Sequence, residues 1–148
     1  MGTYIFHNSH EEKYRFPFGA VPCVSVVTLG LMVQASRPVS SAVVIISTES
    51  GMEQRVSLSA SEGQGPDYSA NIEVPDNPGL LWYYFELIIG TEKYYYGNNE
   101  RYLGGVGDVY GTIPPRYQIT VYREDASTPH WYKKAIMYQI FVDRFKNG

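Results

Sequence analysis

Apolar and polar residues alternate with a period of two along much of the first 122 residues. In 68–74, for example, Tyr68, Ala70, Ile72 and Val74 fall on one side of an extended chain and polar residues on the other. Such alternation is typical of strands with one buried face. Alternation, or a run of β-branched and aromatic residues, predicts β-strands in seven segments: 24–33, 41–48, 52–59, 68–74, 80–89, 93–96 and 117–122.

Turn signals separate these predicted strands. Glu49-Ser50-Gly51 predicts a hairpin between the strands on either side of it, and Gly90-Thr91-Glu92 predicts a second one. No segment of the first 122 residues has the i, i+3, i+4, i+7 spacing of an amphipathic helix. The pattern therefore predicts an all-β fold, an antiparallel β-sandwich in which two sheets cover each other's apolar faces.

Composition narrows the class of protein. A chain of 148 residues has the length of one domain, and 44% hydrophobic with 18% charged residues argues against both disorder and a membrane span. The net charge of −3, without a Lys/Arg cluster, argues against nucleic acid and membrane surfaces as partners. Cys23 is the one cysteine, so no internal disulfide forms. Because residues 1–16 hold no apolar run of the kind a secretory signal needs, we predict a cytoplasmic location.

The pattern changes after residue 122. A polar stretch over 123–128 leads to Pro129 and Trp131, and a continuous apolar run follows over 135–142. Such a run is typical of a strand buried on both faces, as in a parallel barrel. Separated from its sheet, a strand of this kind either finds another edge or partner, or aggregates or stays disordered. If it is ordered, we expect it to pair with a sheet edge of the sandwich or of a neighbouring molecule.

The end of the chain carries a specific motif. Tyr138-Gln139-Ile140-Phe141, followed by Asp143-Arg144-Phe145 and Asn147-Gly148, resembles the start of the catalytic barrel in glycoside hydrolase family 13, the α-amylase family. In members related to neopullulanase, cyclomaltodextrinase and maltogenic amylase, an immunoglobulin-like β-sandwich precedes this motif. A linker with proline and tryptophan joins the two, and Pro129 and Trp131 match it.

The resemblance implies a division of the chain into three parts. Val142 stands where most family members have proline. This departure weakens the assignment to a subgroup but not the resemblance to the family. The predicted parts are an immunoglobulin-like antiparallel β-sandwich over 1–124, a linker over 125–132, and the truncated first strand of a (β/α)8 barrel over 133–148.

The resemblance also implies a function. Family 13 enzymes are retaining glycosidases that cleave α-1,4 or α-1,6 bonds in starch, pullulan and related glucans with two carboxyl groups about 5–5.5 Å apart. Those groups would lie on later barrel strands, so this chain is expected to be a non-catalytic accessory domain. Asp143 is expected to pair with a neighbouring arginine or to cap a loop. The implied partners are the enzyme's own catalytic barrel and, in a homodimer, a second subunit whose substrate cleft the domain helps to shape.

Asn147 occupies a motif position that, by the same resemblance, supplies an oxygen ligand to a structural calcium ion. Calcium needs about six to eight oxygen ligands, and the others would come from the loop that follows. We therefore expect no cofactor in this chain by itself and calcium as a cofactor of the whole enzyme.

Aromatic residues in two neighbouring predicted strands suggest an alternative function, that of an independent carbohydrate-binding module. Flat aromatic faces near polar groups suit sugar recognition, with an α-glucan oligosaccharide as the ligand. Alternation in a strand requires either Trp82 or Tyr83 to point into the core, and the sequence leaves that register open. The candidate carbohydrate-binding residues are Trp82, Tyr84, Tyr94, Tyr95 and Tyr96.

Two further patterns predict little chemistry. His7 and His10 lie near Glu11 and Glu12, but without a cysteine or a third histidine they are expected to be solvated polar residues rather than metal ligands. The glycine-rich segment 105–111 does not match the spacing of a dinucleotide-binding fingerprint, and it is expected to form a loop.

Overall fold

The structure is a computed structural model that describes residues 2–63, 65–125 and 127–139. Within these residues the chain forms twelve strands and one short helix. The elements are β1 (Tyr4–Phe6), β2 (Arg15–Phe16), β3 (Val21–Pro22), β4 (Val26–Gln34), β5 (Val39–Thr48), β6 (Glu53–Ser57), β7 (Ser59–Ala60), β8 (Tyr68–Glu73), β9 (Gly79–Ile89), β10 (Glu92–Gly97), β11 (Asp108–Tyr110), β12 (Tyr117–Tyr122) and α1 (His130–Lys133).

The strands form two sheets. The smaller sheet has the order β1-β4-β8-β7, and β2 pairs with the same long strand β4. The larger sheet contains β3, β5, β6 and β9 to β12. Every strand pair is antiparallel except β12 with β3, which is parallel. The structure therefore confirms the predicted all-β sandwich.

The core lies between the two sheets. In β4, Val27, Leu29 and Leu31 are fully buried, and their partners in β8 include the buried Ala70 and Ile72. The facing sheet contributes alternate residues of β5, β9 and β12 to the same apolar cluster. Period-two patterning thus places one face of each sheet in the core, as the alternation predicts.

Strand β9 organises the larger sheet. Along one edge it pairs with β5 over Leu81 to Ile89. Along the other edge it has two successive partners, β12 from Gly79 to Tyr83 and β10 from Phe85 to Ile89. The partner therefore changes at Tyr84, where the chain between β10 and β12 leaves the sheet and returns to it.

The predicted strands and the two predicted hairpins are confirmed, β5 with β6 and β9 with β10. The strands that the pattern missed are short: β1, β2, β3, β7 and β11 have two or three residues each. Two or three residues are too few to show a period, and their pairing depends on distant segments. Strand β1, for instance, pairs with the end of β4.

The described residues of the C-terminal tail lie outside any strand, and the predicted first barrel strand over 133–148 stays a prediction because most of it lies outside the described part. Residues 135–139 are exposed and outside any strand, and α1 precedes them with no buried residue. The expectation that the tail pairs with a sheet edge is therefore wrong for these residues, while 140–148 lie outside the described part. Among the residues that the structure describes, no helix is long and apolar enough to cross a membrane.

Candidate functional site

The register of β9 decides which aromatic residues face outward. Tyr83 and Phe85 are fully buried in the core, so Trp82 and Tyr84 lie on the outer face of the larger sheet. Trp82 is flanked on that face by Ser47 of β5 and Gln118 of β12. Of the two registers that the sequence left open, the structure has the one in which the tryptophan is outside the core.

A groove of about 520 Å³ lies over this tryptophan. It forms where β9 changes partner, because the segment between β10 and β12 rises from the sheet at that point. A hydrogen bond from the Asn98 backbone N–H to the Pro115 carbonyl, 2.8 Å long, closes the base of the segment. The groove is lined by Thr48, Trp82, Asn98, Tyr102, Pro114, Pro115, Arg116 and Gln118.

Tyr102 forms one wall of the groove and is held there by its turn. Its φ of 57° lies in the left-handed region, which costs roughly 1–2 kcal/mol for a residue with a Cβ, and its side chain is 69% exposed. Asn99 fixes the turn: its carbonyl accepts from the Tyr102 N–H at 2.9 Å, and its side-chain oxygen accepts from the Leu103 N–H at 3.2 Å. The ring is thus presented to solvent on a backbone that hydrogen bonds hold in place.

Arg116 provides a fixed polar group on the opposite side. Its Nη1 donates to the Ser47 hydroxyl at 2.9 Å, and its guanidinium lies 5.8 Å from the centre of the Tyr84 ring. Burial raises the pKa of the Tyr84 phenol and the charge of Glu53 adds to this, whereas the positive charge of Arg116 acts in the opposite direction. The groove therefore combines aromatic surfaces with hydrogen-bonding groups from Arg116, Gln118, Asn98 and Thr48.

The five predicted carbohydrate-binding residues occupy three different places. Trp82 lies in the groove, whereas Tyr84 and Tyr95 lie beside each other on the same outer face with ring centres 6.2 Å apart, and Tyr84 is buried. Tyr94 and Tyr96 point to the opposite, core-facing side of β10. Tyr96 is fully buried, and its hydroxyl donates to the His7 carbonyl at 2.9 Å. The predicted calcium ligand, Asn147, lies outside the described residues.

Of the residues that line the groove, sequence reasoning named only Trp82, and those it missed include Tyr102, Arg116 and Gln118. The signal for Tyr102 was weak, an aromatic residue in a segment that reads as a glycine-rich loop. Arg116 and Gln118 reach the tryptophan because β12 pairs with β9 across about thirty-five residues of sequence, and no local pattern encodes that pairing.

His7 is the main correction to the sequence analysis: it is fully buried instead of solvated. Its Nδ1 donates to the Gly30 carbonyl at 2.8 Å, and its Nε2 accepts from the Tyr83 hydroxyl at 3.0 Å. Burial lowers the pKa of His7 to about 4, with a smaller lowering from nearby Arg15, while the Gly30 carbonyl acts in the opposite direction. The ring therefore serves as a neutral hydrogen-bonded part of the core.

Metal-binding chemistry finds no support in the described part of the chain. No group of three or more His, Cys, Asp or Glu side chains there is arranged to hold a metal ion. His10 is exposed and separated from the buried His7, so the cluster of histidines and acids near the start of the sequence does not come together as a site.

Comparison with known proteins finds relatives that are much longer than this chain. No protein-family model matches the chain. It is, however, 39% identical to an amylopullulanase of Thermoanaerobacterium thermosulfurigenes over 96% of its length, which is 8% of that enzyme. It is 38% identical to an amylopullulanase of Thermoanaerobacter thermohydrosulfuricus and 37% identical to one of Thermoanaerobacterium saccharolyticum, again over 96% of its length, spanning 10% and 11% of those enzymes.

These findings define the class of protein. The chain is a β-sandwich domain, and nearly all of its length is homologous to one segment of amylopullulanases. The matches agree with the resemblance to glycoside hydrolase family 13 that the C-terminal motif indicates. The chain spans about a tenth of the length of these relatives.

Proposed function

We propose that this chain is a non-catalytic accessory domain of an enzyme that hydrolyses α-1,4 or α-1,6 bonds in α-glucans. The supporting observation is that 96% of its length aligns with about a tenth of each amylopullulanase, which leaves most of such an enzyme for the catalytic machinery. The roles proposed for it are packing against the enzyme's own barrel, dimerisation and shaping of the substrate cleft.

Hydrolysis assays test the accessory role. The chain is expected to release no chromophore from a nitrophenyl maltoside, because a single strand cannot hold two carboxyl groups in register, whereas the same chain extended through the barrel is expected to be active. Each of the two proteins is purified by size-exclusion chromatography, and the absorbance of the released nitrophenol is measured for every fraction. Activity that elutes with the 148-residue chain itself would overturn the proposal.

The groove over Trp82 favours a second function, binding of an α-glucan chain. Sugar rings stack on aromatic faces through their C–H groups and place their hydroxyls against polar side chains. Trp82 and Tyr102 supply the aromatic surfaces, and Arg116 and Gln118 supply donors and acceptors within the same groove. The groove is open, so it suits a segment of a polymer and not an enclosed small molecule.

Calorimetric titration with maltoheptaose tests this second function. Replacing Trp82 with alanine is expected to weaken binding at least about tenfold, equivalent to about 1.4 kcal/mol, because the main stacking surface is removed. The matched control is Tyr4→Ala, which removes an exposed aromatic ring from the smaller sheet and is expected to leave binding unchanged.

The outcomes separate the two functions. Loss of heat in the Trp82 variant but not in the Tyr4 variant supports glucan binding in the groove. Absence of any heat from the unsubstituted chain at millimolar maltoheptaose contradicts glucan binding and leaves the accessory role alone. The predicted cytoplasmic location, the homodimer and the calcium ion of the whole enzyme stay predictions and do not depend on this result.

A further inference from the structure

Arg15 is a buried arginine in an unusual setting. It lies in β2 and is only 7% exposed, although arginine is rarely buried without an ionic partner. Its Nη1 donates to the Gln118 carbonyl at 3.1 Å and its Nη2 to the Gly19 carbonyl at 2.9 Å. A guanidinium has further N–H donors beyond these two, so part of its hydrogen-bonding capacity is unused.

The charge of Arg15 has no counterion within the described residues. The ion pairs there involve Arg37, Arg55, Lys93 and Arg123, and none of their carboxylates lies within 4.0 Å of Arg15. The Nε atom is inaccessible to water and has no hydrogen-bond partner among the residues that the structure describes. A buried cation without an opposite charge is unfavourable, and a carboxylate placed against it would relieve that cost.

A pocket of about 370 Å³ opens beside this arginine. It shares a wall with the groove described above, formed by Asn98, Tyr102 and Gln118, but it lies on the side of β12 that faces the N-terminal segment. Polar groups of Ser9, His10 and Thr120 line it together with Arg15. No acidic side chain is among the lining residues in the described part of the chain.

The rim of the pocket is apolar and open to solvent. Phe18 is 54% exposed and Leu103 is 68% exposed, and both line the same pocket. An apolar rim beside a buried guanidinium fits an anionic group that is attached to a short apolar chain. That combination differs from the neighbouring groove, whose aromatic and polar surfaces suit an uncharged sugar.

We propose that this pocket is a receptor for a carboxylate group. A single guanidinium balances one negative charge, and its planar donors match the two oxygens of a carboxylate, whereas a phosphate dianion would leave one charge unbalanced in a partly buried site. The carboxylate comes either from a free small acid or, on the proposed accessory function, from an Asp or Glu side chain of the catalytic barrel. The proposal does not depend on glucan binding, since a different pocket and different chemistry carry it.

Nuclear magnetic resonance of the Arg15 side chain tests the proposal directly. In chain labelled with nitrogen-15, sodium acetate is expected to shift the Arg15 Nε–H resonance saturably in the millimolar range, while the resonances of exposed Arg123 and Arg37 do not move. Sodium chloride at equal ionic strength and inorganic phosphate are the comparison titrations. No acetate shift, or a tighter response to phosphate than to acetate, would overturn the proposal.

Two substitutions at the rim test the charge requirement without disturbing the buried arginine. Leu103→Lys is expected to bind acetate about two- to fivefold more tightly than the unsubstituted chain, and Leu103→Glu to bind it weaker by a similar factor. The matched control is Val109→Glu, an exposed apolar position that does not line this pocket. Equal acetate affinities for the lysine and glutamate variants would contradict a carboxylate receptor.

The same resonance distinguishes the two sources of the carboxylate. In the chain extended through the catalytic barrel, a response to acetate equal to that of the shorter chain assigns the pocket to a free acid. An Arg15 resonance that is already shifted, and no longer responds to acetate, assigns it to a side chain of the barrel. In Arg15→Met, the backbone amide resonances of Gly104 and Thr120, which line the pocket, are expected to show no response to acetate, whereas in the unsubstituted shorter chain they are expected to shift.

Discussion

Lowering the pH from 7 to 4 is expected to remove about 3 kcal/mol from the free energy of unfolding of this domain, and His7 is the cause. The pKa of His7 is about 4 in the fold, against about 6.5 in an unfolded chain. Above pH 6.5 the side chain is neutral in both states and the stabilisation is complete. Below it the unfolded chain binds a proton that the folded chain does not, so stability falls until the pH reaches the folded pKa.

The surroundings of His7 explain why protonation is disfavoured. Its ring lies among aromatic rings, with Tyr117 and Phe85 each 5.0 Å away between ring centres, and Arg15 adds a positive charge nearby. The tyrosines that face it are not a source of negative charge, since burial raises the pKa of Tyr83 and of Tyr96. No group in this cluster therefore offsets a charge on the imidazole.

Urea denaturation at several pH values measures the effect. His7→Gln keeps a polar side chain of similar reach that does not titrate. We expect this variant to have a lower free energy of unfolding at pH 7. Between pH 7 and 4 it should lack the loss of stability that protonation of His7 causes in the unsubstituted chain. The matched control is His10→Gln, which removes an exposed histidine and should retain the pH dependence of the unsubstituted chain. A His7 variant that loses as much stability on acidification as the original would rule out this assignment.

Gly107→Ala is expected to destabilise the domain by about 3 kcal/mol and to lower its melting temperature by roughly 10 °C. A Cβ at this position would overlap the Gly97 carbonyl oxygen and the Tyr117 hydroxyl. Neither can move easily, because Gly97 ends β10 and the Tyr117 hydroxyl donates to the Gly105 carbonyl at 3.1 Å. The Gly107 N–H also donates to the Tyr96 hydroxyl at 3.0 Å, and a shift of the loop would lengthen that bond.

Gly111→Ala is the control for the loop substitution. It lies four residues further along the same segment, and a Cβ there meets no atom within 4 Å. Its effect on the free energy of unfolding is expected to stay within about 0.5 kcal/mol. Thermal unfolding followed by circular dichroism measures the melting temperatures of both variants. Equal melting temperatures would show that the close contacts around Gly107 do not make an added Cβ destabilising.

The sequence alone determined the class of fold and most of the strands. Alternation in β4 placed Val27, Leu29 and Leu31 on one face, and all three are buried there. A period of two is a local property, because successive side chains of a strand point to opposite faces whatever the strand pairs with. The C-terminal motif likewise indicated the resemblance to glycoside hydrolase family 13, since a motif depends on residue order and not on contacts.

Only the tertiary structure decided which side chains meet. The choice of Trp82 over Tyr83 as the outward residue follows from the pairing of β9 with β5 and β12, and both partners are distant in sequence. The same pairing brings Gln118 to the tryptophan and creates the groove where β9 changes partner. His7 and Arg15, polar residues near the start of the chain, are buried because β1 and β2 pair with β4 and the facing sheet covers them. Composition predicts a polar residue to be solvated, whereas burial is a property of the assembled layers, and no local pattern carries that information.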